Sequence, residues 1–155
     1  MPKLVYTNKK GLHQKKGSGV DWSGSTVQGK FREVIAHSAG TTALLANNSG
    51  CIVMVTANDS GGKVTLPAVA DAEGMWFDLV VQTAIANDLV IEANGSDEQV
   101  LIATSANNAT AVTTGDDITL EADADVAGDR CRWYCDGSKW YADAMSTAAA
   151  TFAAA

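Results

Sequence analysis

The residue types that could carry chemistry here are two histidines, three cysteines and a run of carboxylates. His13 sits among lysines and glycines, and His37 closes a β-branched run; neither has a nucleophile or ligand partner at a usable spacing. Both are expected to be structural or incidental. Cys131 and Cys135 would meet on a helix. The segment 130–135 reads as a strand, however, and a rise of about 3.3 Å per residue puts their Cα atoms about 13 Å apart, beyond any disulfide span. They are expected to pack as small apolar side chains. With Cys51 they form an odd, sparse set that points to a reducing compartment rather than a disulfide framework.

The carboxylates Asp116, Asp117, Glu121, Asp123, Asp125 and Asp129 include a Gly128 where a calcium loop starting at Asp123 wants its glycine. The match ends there. Position five would be Ala127, and the bidentate acid at position twelve would be Tyr134. A solvated acidic turn is the expectation. No nucleophile elbow, C-x-x-C, H-E-x-x-H, phosphate loop or dinucleotide fingerprint occurs. The chain is therefore expected to be no enzyme, with no catalytic residue, metal or cofactor.

Charge is divided unevenly along the chain. Residues 1–20 hold Lys3, Lys9, Lys10, Lys15 and Lys16 and no acid, whereas the rest sets six basic residues against all eighteen acidic ones, a net of −12. Such a body repels nucleic acid, so the basic arm is expected to dock on an acidic protein surface. No run of about 18 apolar residues could cross a bilayer, and the lysine- and glycine-rich start lacks the apolar core of a secretion signal.

Three regions position these residues. Residues 1–30 read as an extended basic arm with few anchors, among them Tyr6 and Trp22. Residues 31–145 read as one all-β domain, with short β-branched and aromatic runs separated by Gly, Asn, Asp and Ser clusters about every ten residues. Strands are expected at 32–37, 42–46, 51–56, 63–66, 75–82, 89–93, 99–104, 117–121, 130–135 and 139–143. Residues 146–155 read as an Ala-rich tail, too short to hold a helix alone and either frayed or docked on a partner.

Alternation within the runs assigns faces. Met75, Phe77, Leu79 and Val81 share the core face, which leaves Trp76 and Asp78 on the more polar one. Asp136-Gly137 suits a two-residue type I′ turn, pairing Trp133 with Trp140, Arg132 with Tyr141 and Arg130 with Asp143. Cys131, Trp133, Cys135, Trp140 and Ala142 then share a face. The opposite face gains an Arg132–Tyr141 cation–π contact and an Arg130–Asp143 ion pair. Trp76, Arg132 and Tyr141 are candidate interface residues.

One stretch carries a resemblance. Lys63-Val-Thr-Leu-Pro-Ala-Val-Ala-Asp-Ala-Glu-Gly-Met-Trp-Phe, then Leu89-Val-Ile-Glu-Ala, Asp117-Ile-Thr-Leu, Gly128-Asp-Arg and Asp136-Gly-Ser-Lys-Trp-Tyr together resemble a β-rich module of tailed-phage and other virion structural proteins. The arm and the chain length look most like a small capsid decoration, or cement, protein. The strand spacing is that of an antiparallel β-sandwich or jelly-roll-like domain, and the resemblance implies no catalytic residues. It implies a homotrimer on the outer capsid surface of a phage assembled in the host cytoplasm. The partner would be the major capsid protein, held through Lys3, Tyr6, Lys9, Lys10, Lys15, Lys16 and Trp22 of the arm and one edge of the body. Neither nucleic acid nor membrane is an expected partner. The alternative is a receptor- or glycan-binding tip, with Trp76, Trp133, Trp140 and Tyr141 as stacking platforms.

Overall fold

The computed structural model describes residues 4–7, 11–14, 32–105, 108–148 and 151–154, with 4–7, 11–14 and 105–113 as backbone alone. The chain divides into two compact units, residues 1–31 and 32–155. In the first, β1 (Leu4–Thr7) and β2 (Gly11–Gln14) pair antiparallel, with Leu4 opposite Gln14 and Tyr6 opposite Leu12. The stretch read as an extended arm thus contains a short hairpin. The positions Lys3, Lys9, Lys10, Lys15, Lys16 and Trp22 lie outside the described residues.

In the second unit the chain runs through β3 (Val34–His37), β4 (Thr41–Ala43), β5 (Ile52–Val55), β6 (Lys63–Thr65), β7 (Trp76–Val81) and β8 (Leu89–Glu92). It continues through β9 (Gln99–Ser105), β10 (Asn108–Gly115), β11 (Asp117–Leu120), β12 (Arg130–Cys135), β13 (Trp140–Ser146) and β14 (Phe152–Ala154). A seven-stranded sheet has the order β10-β9-β13-β12-β7-β5-β3, and a five-stranded sheet the order β14-β11-β8-β6-β4. Both sheets bury their inner faces in one apolar core, so the unit is an all-β sandwich.

The sandwich is mixed rather than purely antiparallel. From β3 to β8 the chain alternates between the two sheets at every strand. Each crossing reverses its direction, so sheet neighbours two strands apart in sequence run the same way: β3 with β5, β5 with β7, β4 with β6, and β6 with β8. The strand on the opposite sheet serves as the crossover that parallel pairing needs. β13 also pairs parallel with β9, while β7–β12, β12–β13, β9–β10, β8–β11 and β11–β14 are antiparallel. Alternation within a run reveals which face is buried but says nothing about a neighbour's direction.

Aromatic rings fill the core. Phe77 stacks on Trp133 at 5.1 Å between centroids and meets Trp140 edge-on at 6.1 Å; Phe152 meets Trp133 edge-on at 6.4 Å. Trp133 and Trp140 are fully buried, which removes both from the expected set of stacking platforms. The indole N–H of Trp133 donates to Gln99 Oε1 at 3.0 Å. Gln99 Nε2 in turn donates to the carbonyls of Ile91 and Asp116, each at 2.8 Å. One buried amide thereby satisfies itself while tying the two sheets together.

The β12–β13 hairpin keeps the expected faces with a different register. Cys135 pairs with Trp140, Tyr134 with Tyr141, Trp133 with Ala142 and Arg132 with Asp143. The loop is four residues, 136–139, rather than two. Its Asp136 Oδ1 accepts from the Ser138 N–H, the Ser138 hydroxyl and the Lys139 N–H, all at 2.8 Å. Only Gly137 takes positive φ in this loop, at 88°, so a type I′ turn, which needs two such residues, does not form. A slip of two positions leaves every side chain on its own face. It does remove the expected Arg132–Tyr141 and Arg130–Asp143 pairings.

The Ala-rich tail belongs to the body: β14 pairs with β11, and Thr151 and Phe152 are buried. In the second unit two strands, β10 and β14, had no counterpart among the expected ones, because runs of Ala, Asn and Thr carry little apolar alternation.

Candidate functional site

Strand alternation places Trp76 and Asp78 of β7, Arg130, Arg132 and Tyr134 of β12, and Tyr141, Asp143 and Met145 of β13 on the outer face of the seven-stranded sheet. Cross-strand pairing then sets Trp76 beside Tyr134 and Tyr134 beside Tyr141, and it sets Asp78 beside Arg132 and Arg132 beside Asp143. The first row is aromatic and the second is charged. Tyr134 and Tyr141 stack at 5.2 Å with an interplanar angle of 10°.

Asp78 is the hub of the charged row. Arg132 reaches its two oxygens through Nε at 2.6 Å and Nη2 at 3.0 Å. Arg32, arriving from just before β3, donates to it through Nη1. Arg32 is anchored in turn on the carbonyls of Gly50 at 2.7 Å and Cys51 at 2.6 Å. Burial pushes the Asp78 carboxyl up, but the hydrogen bonds from Arg132 and Arg32 outweigh it and hold the group below the usual carboxylate range. Both guanidiniums also lie over the Trp76 ring, at 4.6 Å for Arg32 and 5.3 Å for Arg132. Gly50, whose carbonyl anchors Arg32, takes a φ of 86° that favours glycine, and a Cβ there would stand at ordinary contact distance from that ring.

Next to this network a concavity of about 450 Å³ is lined by Asp78, Val80, Arg130, Arg132, Asp143 and Met145. Among the described residues Arg130 Nη2 donates only to Met145 Sδ, at 3.2 Å. At the far end of the aromatic row the Tyr141 hydroxyl donates to Asp136 Oδ2 at 3.1 Å, which raises the phenol's own pKa. Four hydrogen bonds, from Ser138, Lys139 and Tyr141, pull the exposed Asp136 carboxyl far down. This face offers aromatic rings, exposed donors and exposed acceptors, but no nucleophile beside a base.

Of the interface residues expected from sequence, Trp76, Arg132 and Tyr141 stand together on this face. Asp78 and Tyr134 belong with them, as alternation within β7 and β12 signals. Arg32 carried no such signal, because its role depends on where β3 docks. Elsewhere, His37 is buried, with Nε2 2.9 Å from Asn58 Oδ1 and Nδ1 2.8 Å from the Thr42 hydroxyl. In the acidic stretch Asp116 and Asp123 are exposed, as expected, but Asp125 and Asp129 turn inward on backbone amides. Asp125 accepts from the Ile85 N–H at 3.1 Å, and Asp129 accepts from Val126 at 3.0 Å and Thr147 at 2.9 Å. Among the described residues no three acids, cysteines or histidines are grouped to hold a metal. Cys51, Cys131 and Cys135 are buried free thiols, and burial pushes the first up to about 11.

No curated protein and no solved structure gives a significant match to the chain. A family model described as the phage depolymerase C-terminal beta sandwich domain matches residues 34–141, from β3 into β13. That span takes in the β12–β13 hairpin and the crossing strands of both sheets, and the chain belongs to this family of phage β-sandwich domains.

Proposed function

We propose that the chain is a non-catalytic recognition module of a phage virion that holds a host surface glycan against the outer face of the seven-stranded sheet. The observation that carries this reading is the joined row of Trp76, Tyr134 and Tyr141 beside Asp78, Arg130, Arg132 and Asp143. A sugar ring presents an apolar C–H face and a rim of hydroxyls that both donate and accept. A receptor for it needs a ring to pack on and mixed polar groups around it. The family's description supports the setting, since a depolymerase acts on a polymer and this domain lies at the C-terminal end of such proteins. Assembly as a homotrimer would present three such faces and add avidity to weak single contacts.

Binding of the full chain to an array of bacterial surface glycans tests the reading. We expect specific hits whose affinity falls about tenfold or more in Tyr134→Ala, consistent with losing a packed aromatic contact of about 1.4 kcal/mol. A silent array would contradict it. The capsid-decoration reading keeps one specific support, the five lysines within residues 1–20 facing a body of net −12. A silent array together with tight cosedimentation with capsids would favour it.

A further inference from the structure

The three arginines of the chain, Arg32, Arg130 and Arg132, all stand at this one face, although residues 21–155 carry a net charge of −12. The two described lysines pair with glutamates instead: Lys63 with Glu92 at 2.8 Å and Lys139 with Glu98 at 2.7 Å. Around the concavity Arg130, Arg132 and, bonded to Asp78 from outside the lining, Arg32 meet two carboxylates, Asp78 and Asp143, while Asp136 lies at the far end of the aromatic row; this end of the face therefore carries one more guanidinium than carboxylate on an acidic domain. An anion repelled by the rest of the body finds its favourable site at this face.

The arginines are not equally committed. Arg32 spends its donors on two carbonyls and Asp78, and Arg132 spends Nε and Nη2 on Asp78. Arg130 has, among the described residues, only its contact to the Met145 sulfur. Asp143 forms no hydrogen bond or ion pair among the described residues. One guanidinium fork and one carboxylate therefore face the 450 Å³ concavity with no oppositely charged side chain bonded to them among the described residues. The fork matches a planar oxyanion two bonds at a time, and a free carboxylate accepts from hydroxyls.

Resting on the glycan reading above, we infer that this groove takes an acidic saccharide. Its anionic group pairs with Arg130, with Arg132 alongside, and its ring hydroxyls donate to Asp143. The Asp78 bridge holds Arg132 in place, so the site is organised before ligand arrives.

The test uses the full chain on an array of carboxylated, sulfated and neutral glycans, with calorimetry on the hits. The expected result is binding confined to acidic glycans, weakening as salt rises and falling tenfold or more in Arg130→Ala, with partial recovery in Arg130→Lys. Chemical reduction of a bound glycan's carboxylates to alcohols should cost as much as Arg130→Ala. Because Arg130 is exposed, circular dichroism should show both variants folded. Binding of neutral glycans with equal affinity, or acidic hits indifferent to Arg130→Ala, would overturn the inference and leave the glycan reading standing. No glycan binding at all would overturn both.

Discussion

At the scale of single residues, Asp78 holds the outer face together. Asp78→Asn would turn an amide N–H toward a guanidinium and remove the charge that two arginines share. We expect a loss of about 1–2 kcal/mol in urea denaturation, modest because Arg132 is largely exposed to solvent. The pH dependence follows from the lowered carboxyl. Its stabilisation is fully present above about pH 4, the ordinary carboxylate value, and is lost as pH falls through the lower folded value. The stability gap between wild type and Asp78→Asn should therefore be constant near neutrality and close on acidification below pH 4. Gly62 is a second sensitive position. A Cβ there would lie inside contact distance of Asn58 Oδ1 and 2.9 Å from its Cγ. Asn58 also donates to the Asp88 carbonyl at 2.7 Å and meets His37 Nε2 at 2.9 Å. Gly62→Ala should cost about 2 kcal/mol or more by breaking this buried network, read as a lower denaturation midpoint. Alternation made Trp76 and Asp78 legible on the polar face of one run and Arg132 and Tyr141 on that of the hairpin; that the two faces join depends on the β7–β12 pairing, which links residues far apart in sequence. The Asn58–His37–Thr42 cluster was not legible, because β3, β4 and the loop that carries Asn58 have to dock before those side chains acquire partners.

Among elements, the β12–β13 hairpin and β14 show where sequence patterning stops. Asp136-Gly137 marks the turn correctly, yet the Asp136 side chain takes two loop amides and lengthens the loop to four residues. The buried set Cys131, Trp133, Cys135, Trp140 and Ala142 survives because the slip is even. The cross-strand partners change, and with them the composition of the site: Tyr134–Tyr141 stacking replaces an Arg–Tyr contact. β14 has no signal of its own. Its three residues are held by pairing with β11, and by Phe152 entering the core at 4% exposure. Phe152→Ala should thus cost about 3 kcal/mol or more, as removal of a buried ring does, measured by chemical denaturation. A stability unchanged by Phe152→Ala would show the tail to be dispensable.

For the whole molecule, the strands crossing between sheets explain both the mixed pairing and the position of the site. β5, β7 and β12 lie adjacent in the seven-stranded sheet, although more than seventy residues separate the first from the last. Composition and spacing indicated an all-β sandwich but not its crossing order, because strand direction is decided by which sheet the next run joins. The two-unit organisation gives a test of the arm. Deleting residues 1–22 should leave the body's unfolding midpoint unchanged, since the second unit begins at Arg32. On the glycan reading the deletion also spares glycan binding; on the capsid reading it abolishes cosedimentation with capsids.

Whether the outer face of the seven-stranded sheet is the recognition surface is tested most directly by nuclear magnetic resonance of the isotope-labelled full chain, titrated with purified host surface polysaccharide. The expected result is that the Trp76 indole and the side-chain signals of Arg130 and Arg132 shift while the buried Trp133 and Trp140 indoles stay in place. Shifts confined to the five-stranded sheet or to residues 1–20, or none at saturating polysaccharide, would contradict it.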